Sequence, residues 1–205
     1  MPYSSFSLQS AVEQFSLKYQ GDMATLPADL PPLPAAAKDA LELLMRQLDR
    51  DIDLARKTYT EKAKSEFVIA PVLSTLRQIQ KVGVHSGVAF DVSTEDNLRG
   101  ACGFLITLSA EIEIIEAPVL VVVEAKRSII AEGLGQCVAE MVAAQKFNQR
   151  SDCATRDIFG CVTNGFAWRF LKLTGQTVSG DGAKEYPLMP IDALMQKLCY
   201  TVRPL

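Results

Sequence analysis

Glu124 and Lys126 end the run Pro118-Val-Leu-Val-Val-Val-Glu-Ala-Lys126, which is apolar up to Glu124. Such a run, rich in β-branched residues and apolar on both faces, reads as a buried central strand. A charge at the tip of a buried strand is costly unless it has a partner or a task. Residues two apart in a strand point to the same face of the sheet. A carboxylate and an ammonium held together there have the chemistry to bind a hard cation and orient a nucleophilic water. The spacing alone favours a plainer reading, an ion pair at a strand end.

Several elements must position this pair. A helix is predicted over 65–80, beginning Ser65-Glu66, with Phe67, Ala70, Leu73 and Leu76 apolar and Pro71 placed to bend it. The period then changes to two: Val84, Val88, Phe90 and Val92 mark a strand, and 98–108 holds a second. With 118–126 these make a three-strand meander. Residues 131–148 return to a helix, with Leu134, Val138, Met141, Val142 and Gln145 on a broad face. Gln136 and Glu140 are four apart and share a helical face. Residues 158–163 and 166–173 read as a hairpin across Asn164-Gly165, a strong two-residue turn signal. Trp168 and Phe166 on that hairpin read as core, not as stacking groups for bases. A short helix over 191–200 follows.

Ahead of these elements the pattern is weaker. Residues 7–17 suit a short helix with Leu8, Val12, Phe15 and Leu17 inward, and Pro27, Pro31, Pro32 and Pro34 mark an extended surface linker. Leu41, Met45, Leu48, Ile52, Ala55 and Tyr59 then form an apolar stripe along a helix. Packing on the chain's own sheet is the preferred reading of this stripe. A homodimer formed through it stays open.

The order of helix, meander, Glu-Ala-Lys and glutamine-bearing helix resembles the PD-(D/E)XK nuclease superfamily, the restriction-endonuclease-like fold, over roughly residues 65–173. Val-Val-Val-Glu124-Ala-Lys126 looks like the family's ExK half-motif. Glu66 looks like the acidic residue of its first core helix, and Gly133-Leu-Gly-Gln136 resembles its glutamine segment. The resemblance implies an α/β fold with a mixed central sheet flanked by helices. The core would span residues 65–205, with an N-terminal helical extension and linker over 1–64. It also implies Mg²⁺- or Mn²⁺-dependent phosphodiester hydrolysis on nucleic acid, DNA ahead of RNA. In that reading Glu124 holds the metal, Lys126 orients the attacking water, Glu66 assists through the metal's water shell, and Gln136 positions a site group or a phosphate.

The chain departs from the family at one place. The family's second-strand aspartate falls on Gly103, in Gly100-Ala-Cys-Gly-Phe-Leu-Ile-Thr107. A hairpin turning near Glu113 sets position 103 beside Glu124. Glycine supplies no side-chain oxygen for the ion. The chain is then an inactive member, or carries an inactivating substitution, or uses another acid such as Asp91 or Glu66. A strand glycine also has a plain reading as a bulge or a close backbone approach. The rival function is a nucleic-acid-binding or assembly protein that keeps only the fold.

Composition bounds these readings. The 205 residues carry a formal net charge of −3, and 48% are hydrophobic, so a real core can be buried and global disorder is excluded. That balance argues against coating nucleic acid by charge alone but leaves room for a local basic groove. Lys126, Arg127, Lys146, Arg150, Arg169 and Lys172 are candidates for phosphate contacts, each read first as part of a solvated face. Five cysteines without a CxxC pair, and one histidine, His85, make a structural zinc site a poor expectation. His85 reads as structural or surface. No Walker-type loop or dinucleotide fingerprint occurs. No stretch reads as a signal peptide or membrane span, so the expectation is a cytoplasmic protein with reduced thiols.

Overall fold

In the computed structural model, which describes residues 2–153 and 157–203, the chain opens with α1 (Leu8–Gln14) and β1 (Lys18–Gln20). The proline-rich stretch leads to α2 (Ala37–Thr58). A continuous helix then runs from α3 (Glu61–Lys64) through a π-turn (Ser65–Ile69) into α4 (Ala70–Gln80). Strands β2 (Gly83–Ala89), β3 (Ala101–Thr107) and β4 (Val119–Ala125) come next. They are followed by α5 (Leu134–Arg150), β5 (Ile158–Thr163), β6 (Ala167–Thr174), β7 (Thr177–Gly180), β8 (Tyr186–Pro187) and α6 (Ile191–Thr201).

The strands form one mixed open sheet in the order β1-β7-β6-β5-β4-β3-β2, with β8 paired to β6. β2, β3 and β4 are antiparallel, whereas β4 and β5 are parallel. Parallel neighbours need a crossover, and α5 supplies it. Every residue of β4 is buried, as its apolar sequence requires of a central strand. Val121, Val123 and Ala125 face one core with α2, α4 and α6. Val119 and Val122 face the other, with α1 and α5. The fold is thus α/β, helices on both faces of a mixed sheet.

Three short strands leave no periodic signal in the sequence. β1, β7 and β8 are two to four residues long and carry too few positions for alternation to show. β1 pairs parallel with β7, so the N-terminal segment adds an edge strand as well as helices. The predicted helix over 65–80 starts four residues earlier, at Glu61, where the Thr60 hydroxyl caps it by accepting the Ala63 N–H at 3.1 Å. Pro71 lacks the N–H that an α-helix would aim at Phe67, and its ring crowds that carbonyl. The chain widens there into the π-turn, closed by Ala70 N–H to the Ser65 carbonyl, where the sequence suggested a bend.

The stripe on α2 packs within the chain. Ala40, Leu44, Leu48 and Ala55 are buried and Leu41, Met45 and Ile52 partly so, against the core shared with α4 and α6, whereas Tyr59, the last member of the predicted stripe, lies past the helix end and is exposed. Trp168 is fully buried, and Phe166 packs against the same core. Cys102, Cys137, Cys161 and Cys199 are small buried core residues with free thiols. His85 is buried, with Nε2 3.4 Å from Thr107 Oγ1.

Asn148, near the end of α5, holds the start of β4. Its Nδ2 donates to the Val119 carbonyl at 2.9 Å, and its Oδ1 accepts the Val119 N–H at 2.8 Å. The side chain is 4% exposed, so replacing it leaves two buried backbone groups unpaired. Asn148→Ala should lower stability by about 2–4 kcal/mol. Urea unfolding of the two chains measures this, and a loss below about 0.5 kcal/mol would refute the anchoring role.

Candidate functional site

The tip of β4 carries the proposed pair. Glu124 follows Val122 in parity and Lys126 continues it, so both side chains leave the sheet toward α5. Lys126 Nζ donates to Glu124 Oε1 at 2.6 Å and to Gln136 Oε1 at 3.1 Å, and Gln136 Nε2 donates to Glu140 Oε1 at 3.0 Å. The four residues form one hydrogen-bonded chain running from the strand tip into the helix. The sequence placed Gln136 and Glu140 on one face; the structure turns that face onto Glu124 and Lys126.

Gly133 makes the approach possible. A Cβ there would come within 2.6 Å of Val162 Cγ1 and 3.0 Å of Lys126 Cε. The lysine stem therefore passes through space that any other residue would fill.

The charges sit in a dry place. The Glu124 side chain is 7% exposed and that of Lys126 19%. Burial pushes the Glu124 carboxyl above the usual range; the Lys126 hydrogen bond and charge pull it partly back, and the Gly103 N–H also favours the ionised form. Glu140 is completely buried. Burial first, and the Glu124 charge second, push its carboxyl well above the ordinary value, and the protonated form is favoured. Its Oε2 has no nitrogen or oxygen partner, and the Cys102 thiol borders the carboxyl. Burial pushes that thiol strongly up, so it stays protonated and unreactive.

Gly103 lies directly across the ladder. Phe104 pairs with Val123, so the next rung sets Gly103 against Glu124. A Cβ on Gly103 would stand 3.4 Å from Glu124 Oε2 but only 2.8 Å from the Val123 carbonyl oxygen. The position that the resemblance gives to an aspartate is a close approach of two backbones. A side chain there must push the strands locally apart.

The acidic residues on the helix divide differently from the sequence reading. Glu66 lines the same pocket as Glu124 and Gln136, of about 410 Å³, yet its carboxylate pairs with Lys62 at 3.1 Å and its side chain is 51% exposed. Glu61, which lies ahead of the predicted helix start at Ser65, also lines this pocket, and its charge acts on Glu124. Thr60 before Glu61 was the available signal for the true helix start. Asp91 is engaged elsewhere, its Oδ1 accepting the Gly100 N–H at 2.8 Å. Of the basic candidates, Lys146 pairs with Asp96 at 2.5 Å, Arg150 donates to the Val92 carbonyl at 2.5 Å, and Lys172 lies 3.6 Å from Asp157. These three are tied into the fold.

No described protein family matches the chain, and no curated protein matches it either. No helix among the described residues is long and apolar enough to cross a membrane.

The residues present do not fit a Mg²⁺ ion. Glu124 is the one carboxylate on the strand tip, and its Oε1 is already taken by Lys126. Gly103 adds no oxygen, and no cluster of three or more acidic, histidine or cysteine ligands occurs among the described residues. Mg²⁺ demands well-placed oxygens and gives up its water reluctantly.

Two consequences can be measured. A carboxyl whose value is raised on folding contributes fully below its unfolded value, and that contribution is lost as pH rises through the folded value. For Glu140, raised by burial, the cost therefore grows above the usual carboxylate range. Glu140→Gln keeps an acceptor for Gln136 and removes the titration. The melting temperature of the variant relative to the parent should rise steadily between about pH 5 and about pH 8; a difference independent of pH would exclude a titrating Glu140. Separately, Gly103→Ala should destabilise by about 1–3 kcal/mol through the contact with the Val123 carbonyl. A neutral or stabilising effect in urea unfolding would mean the strands accommodate a side chain freely.

Proposed function

We propose that this chain is a nucleic-acid-binding protein built on a restriction-endonuclease-like core, and that with glycine at position 103 it hydrolyses phosphodiester bonds slowly or not at all. The observation that carries the reading is the hydrogen-bonded convergence of Glu124, Lys126 and Gln136 at the tip of β4, where Glu124, Gln136 and the facing Gly103 line a pocket open to solvent. The element order supports it: a helix, a three-strand antiparallel meander, a crossover helix and a parallel strand. A buried carboxylate and ammonium at a strand tip cost solvation free energy that an apolar pair would not, so a fold kept for structure alone has no evident use for them.

Inactivity follows from the donor set. One carboxylate engaged by a lysine cannot fix a hard cation firmly, and positioning of this kind contributes several kcal/mol to lowering a hydrolytic barrier. An aspartate at 103 would bring a second carboxylate beside Glu124 Oε2, at the expense of the strand shift described above.

The test is cleavage of labelled single- and double-stranded DNA and RNA with Mg²⁺ or Mn²⁺. The chains compared are the parent, Gly103→Asp, and Gly103→Asp combined with Lys126→Ala. The parent should be inactive within detection, Gly103→Asp should gain metal-dependent cleavage, and the double variant should lose it. Mn²⁺ titration by calorimetry on the folded proteins runs beside it and should show tighter binding by Gly103→Asp. Robust cleavage by the parent would overturn inactivity and point to Glu61 or Glu66 as the second acid. A folded Gly103→Asp that binds Mn²⁺ no more tightly than the parent would overturn the site.

A further inference from the structure

Beside the pocket, the end of α2 and the strand tip bring together aromatic rings and cations that the proposed site does not use. Tyr59 is 54% exposed and takes up a left-handed backbone, φ 56° and ψ 24°, as the C-cap of α2. That conformation is uncommon for a bulky aromatic residue, and such strain concentrates at functional positions. It turns the chain between α2 and α3 and leaves the ring at the surface, two residues before Glu61 of the pocket.

Cations gather on this ring. Lys64 Nζ lies 4.8 Å from the Tyr59 centroid and 5.5 Å from that of Phe166. The Arg127 guanidinium lies 5.8 Å from Tyr59, and that of Arg56 lies 5.4 Å from Phe166. Lys64 is 4% exposed, and its ammonium donates to the Arg127 carbonyl. Among the described residues no carboxylate lies within ion-pair distance of Lys64 or Arg127. Arg56 has only a long contact of 3.9 Å with Asp53. In a chain of net charge −3 this is a local excess of positive charge, and Arg127 follows Lys126 directly.

We infer that Tyr59, backed by Lys64 and Arg127, is a stacking platform for an unpaired nucleobase, and that the protein prefers single-stranded nucleic acid to an intact duplex. This rests on the nucleic-acid reading above and adds to it the form of the ligand. Tyr59 is half-exposed, so part of its ring surface is open to a base, and the cations gathered over the ring suit the phosphate that accompanies that base. In a duplex both faces of each base are already stacked, so the ring gains a partner only if a nucleotide is unstacked first. Arg127 and Arg56, both exposed, face the solvent where the phosphates would run. A strand stacked on Tyr59 would pass from there toward the pocket that holds Glu61 and Glu124.

The experiment is fluorescence anisotropy at low salt with the full chain, using a labelled thymidine oligonucleotide of about 20 residues and a mixed-sequence duplex of about the same length. Single strand should bind more tightly than duplex. Tyr59→Ala should weaken single-strand binding roughly 5- to 150-fold, the range for loss of one stacked base, and leave duplex binding unchanged. Tyr59→Phe keeps the ring and should stay within about twofold of the parent, which separates stacking from any effect of the hydroxyl. Arg127→Ala should weaken both ligands and reduce the salt slope by about one. Thermal unfolding of each variant identifies any that fail to fold, and Tyr59→Leu, which keeps apolar bulk but has no π-face, then takes the place of Tyr59→Ala with the same expected loss. If duplex binds as tightly as single strand and Tyr59→Ala changes neither, the platform is overturned while nucleic-acid binding stands. If neither ligand binds the parent at any salt, the nucleic-acid reading fails and this inference falls with it.

Discussion

The ion pair between Lys126 and Glu124 is the constraint on which the site is built. At 2.6 Å, with both side chains largely out of water, it must recover a desolvation cost of several kcal/mol per ion. Coulomb attraction alone does not reliably do so, and the remaining polar atoms must be satisfied. Gln136 meets this need for the ammonium and passes the requirement on to Glu140, which is accommodated by holding a proton. One buried charge pair thus sets the identity of two residues a turn apart on α5 and the protonation state of the second.

The same pair fixes how closely α5 can lie to the sheet. Lys126 needs a channel for its stem, and Gly133 supplies it just ahead of the helix. On the other side of the helix's path, Asn148 clamps the first residue of β4. α5 is therefore pinned to β4 at both ends, at the strand's start by Asn148 and at its tip by Gln136. The opposite face is organised by the long helix from Glu61 to Gln80, whose π-turn falls where Pro71 denies it a regular hydrogen bond. That turn carries Ser65 and Glu66 to the rim of the pocket, while the preceding turn brings Glu61 to the same rim and Lys64 to the Tyr59 ring.

Gly103 has two meanings at once. In the proposed reading it stands where a second acid would be, and Glu124 is the one carboxylate at the strand tip. As a ladder residue it lets the Val123 carbonyl approach within a distance that a Cβ would not tolerate, and its N–H supports the Glu124 carboxylate. The network around Glu124 is thereby adapted to glycine: Lys126 and the Gly103 amide hold the carboxylate, and Gln136 holds the lysine.

The sequence by itself determined the elements whose signal is periodic and long. The apolar run of β4, the stripe of α2, the Asn164-Gly165 turn and the helix over α5 were all legible, because burial on a fixed face leaves a regular imprint. The spacing of Glu124 and Lys126 also placed both on one face, since a strand has a period of two. It could not show which acid on the helix would stand near them. A hydrogen bond at Thr60 moves the helix start by four residues and brings in Glu61, and a proline-induced π-turn shifts the helical phase that any fixed period assumes. The short strands at the sheet edge were hidden because edge pairing is decided by what lies alongside. The close contact at Gly103, the channel at Gly133 and the aromatic and cationic cluster at Tyr59 join residues tens of positions apart in the chain. Packing alone brought them together, because a side chain's partners depend on the distances between elements, which local sequence does not encode.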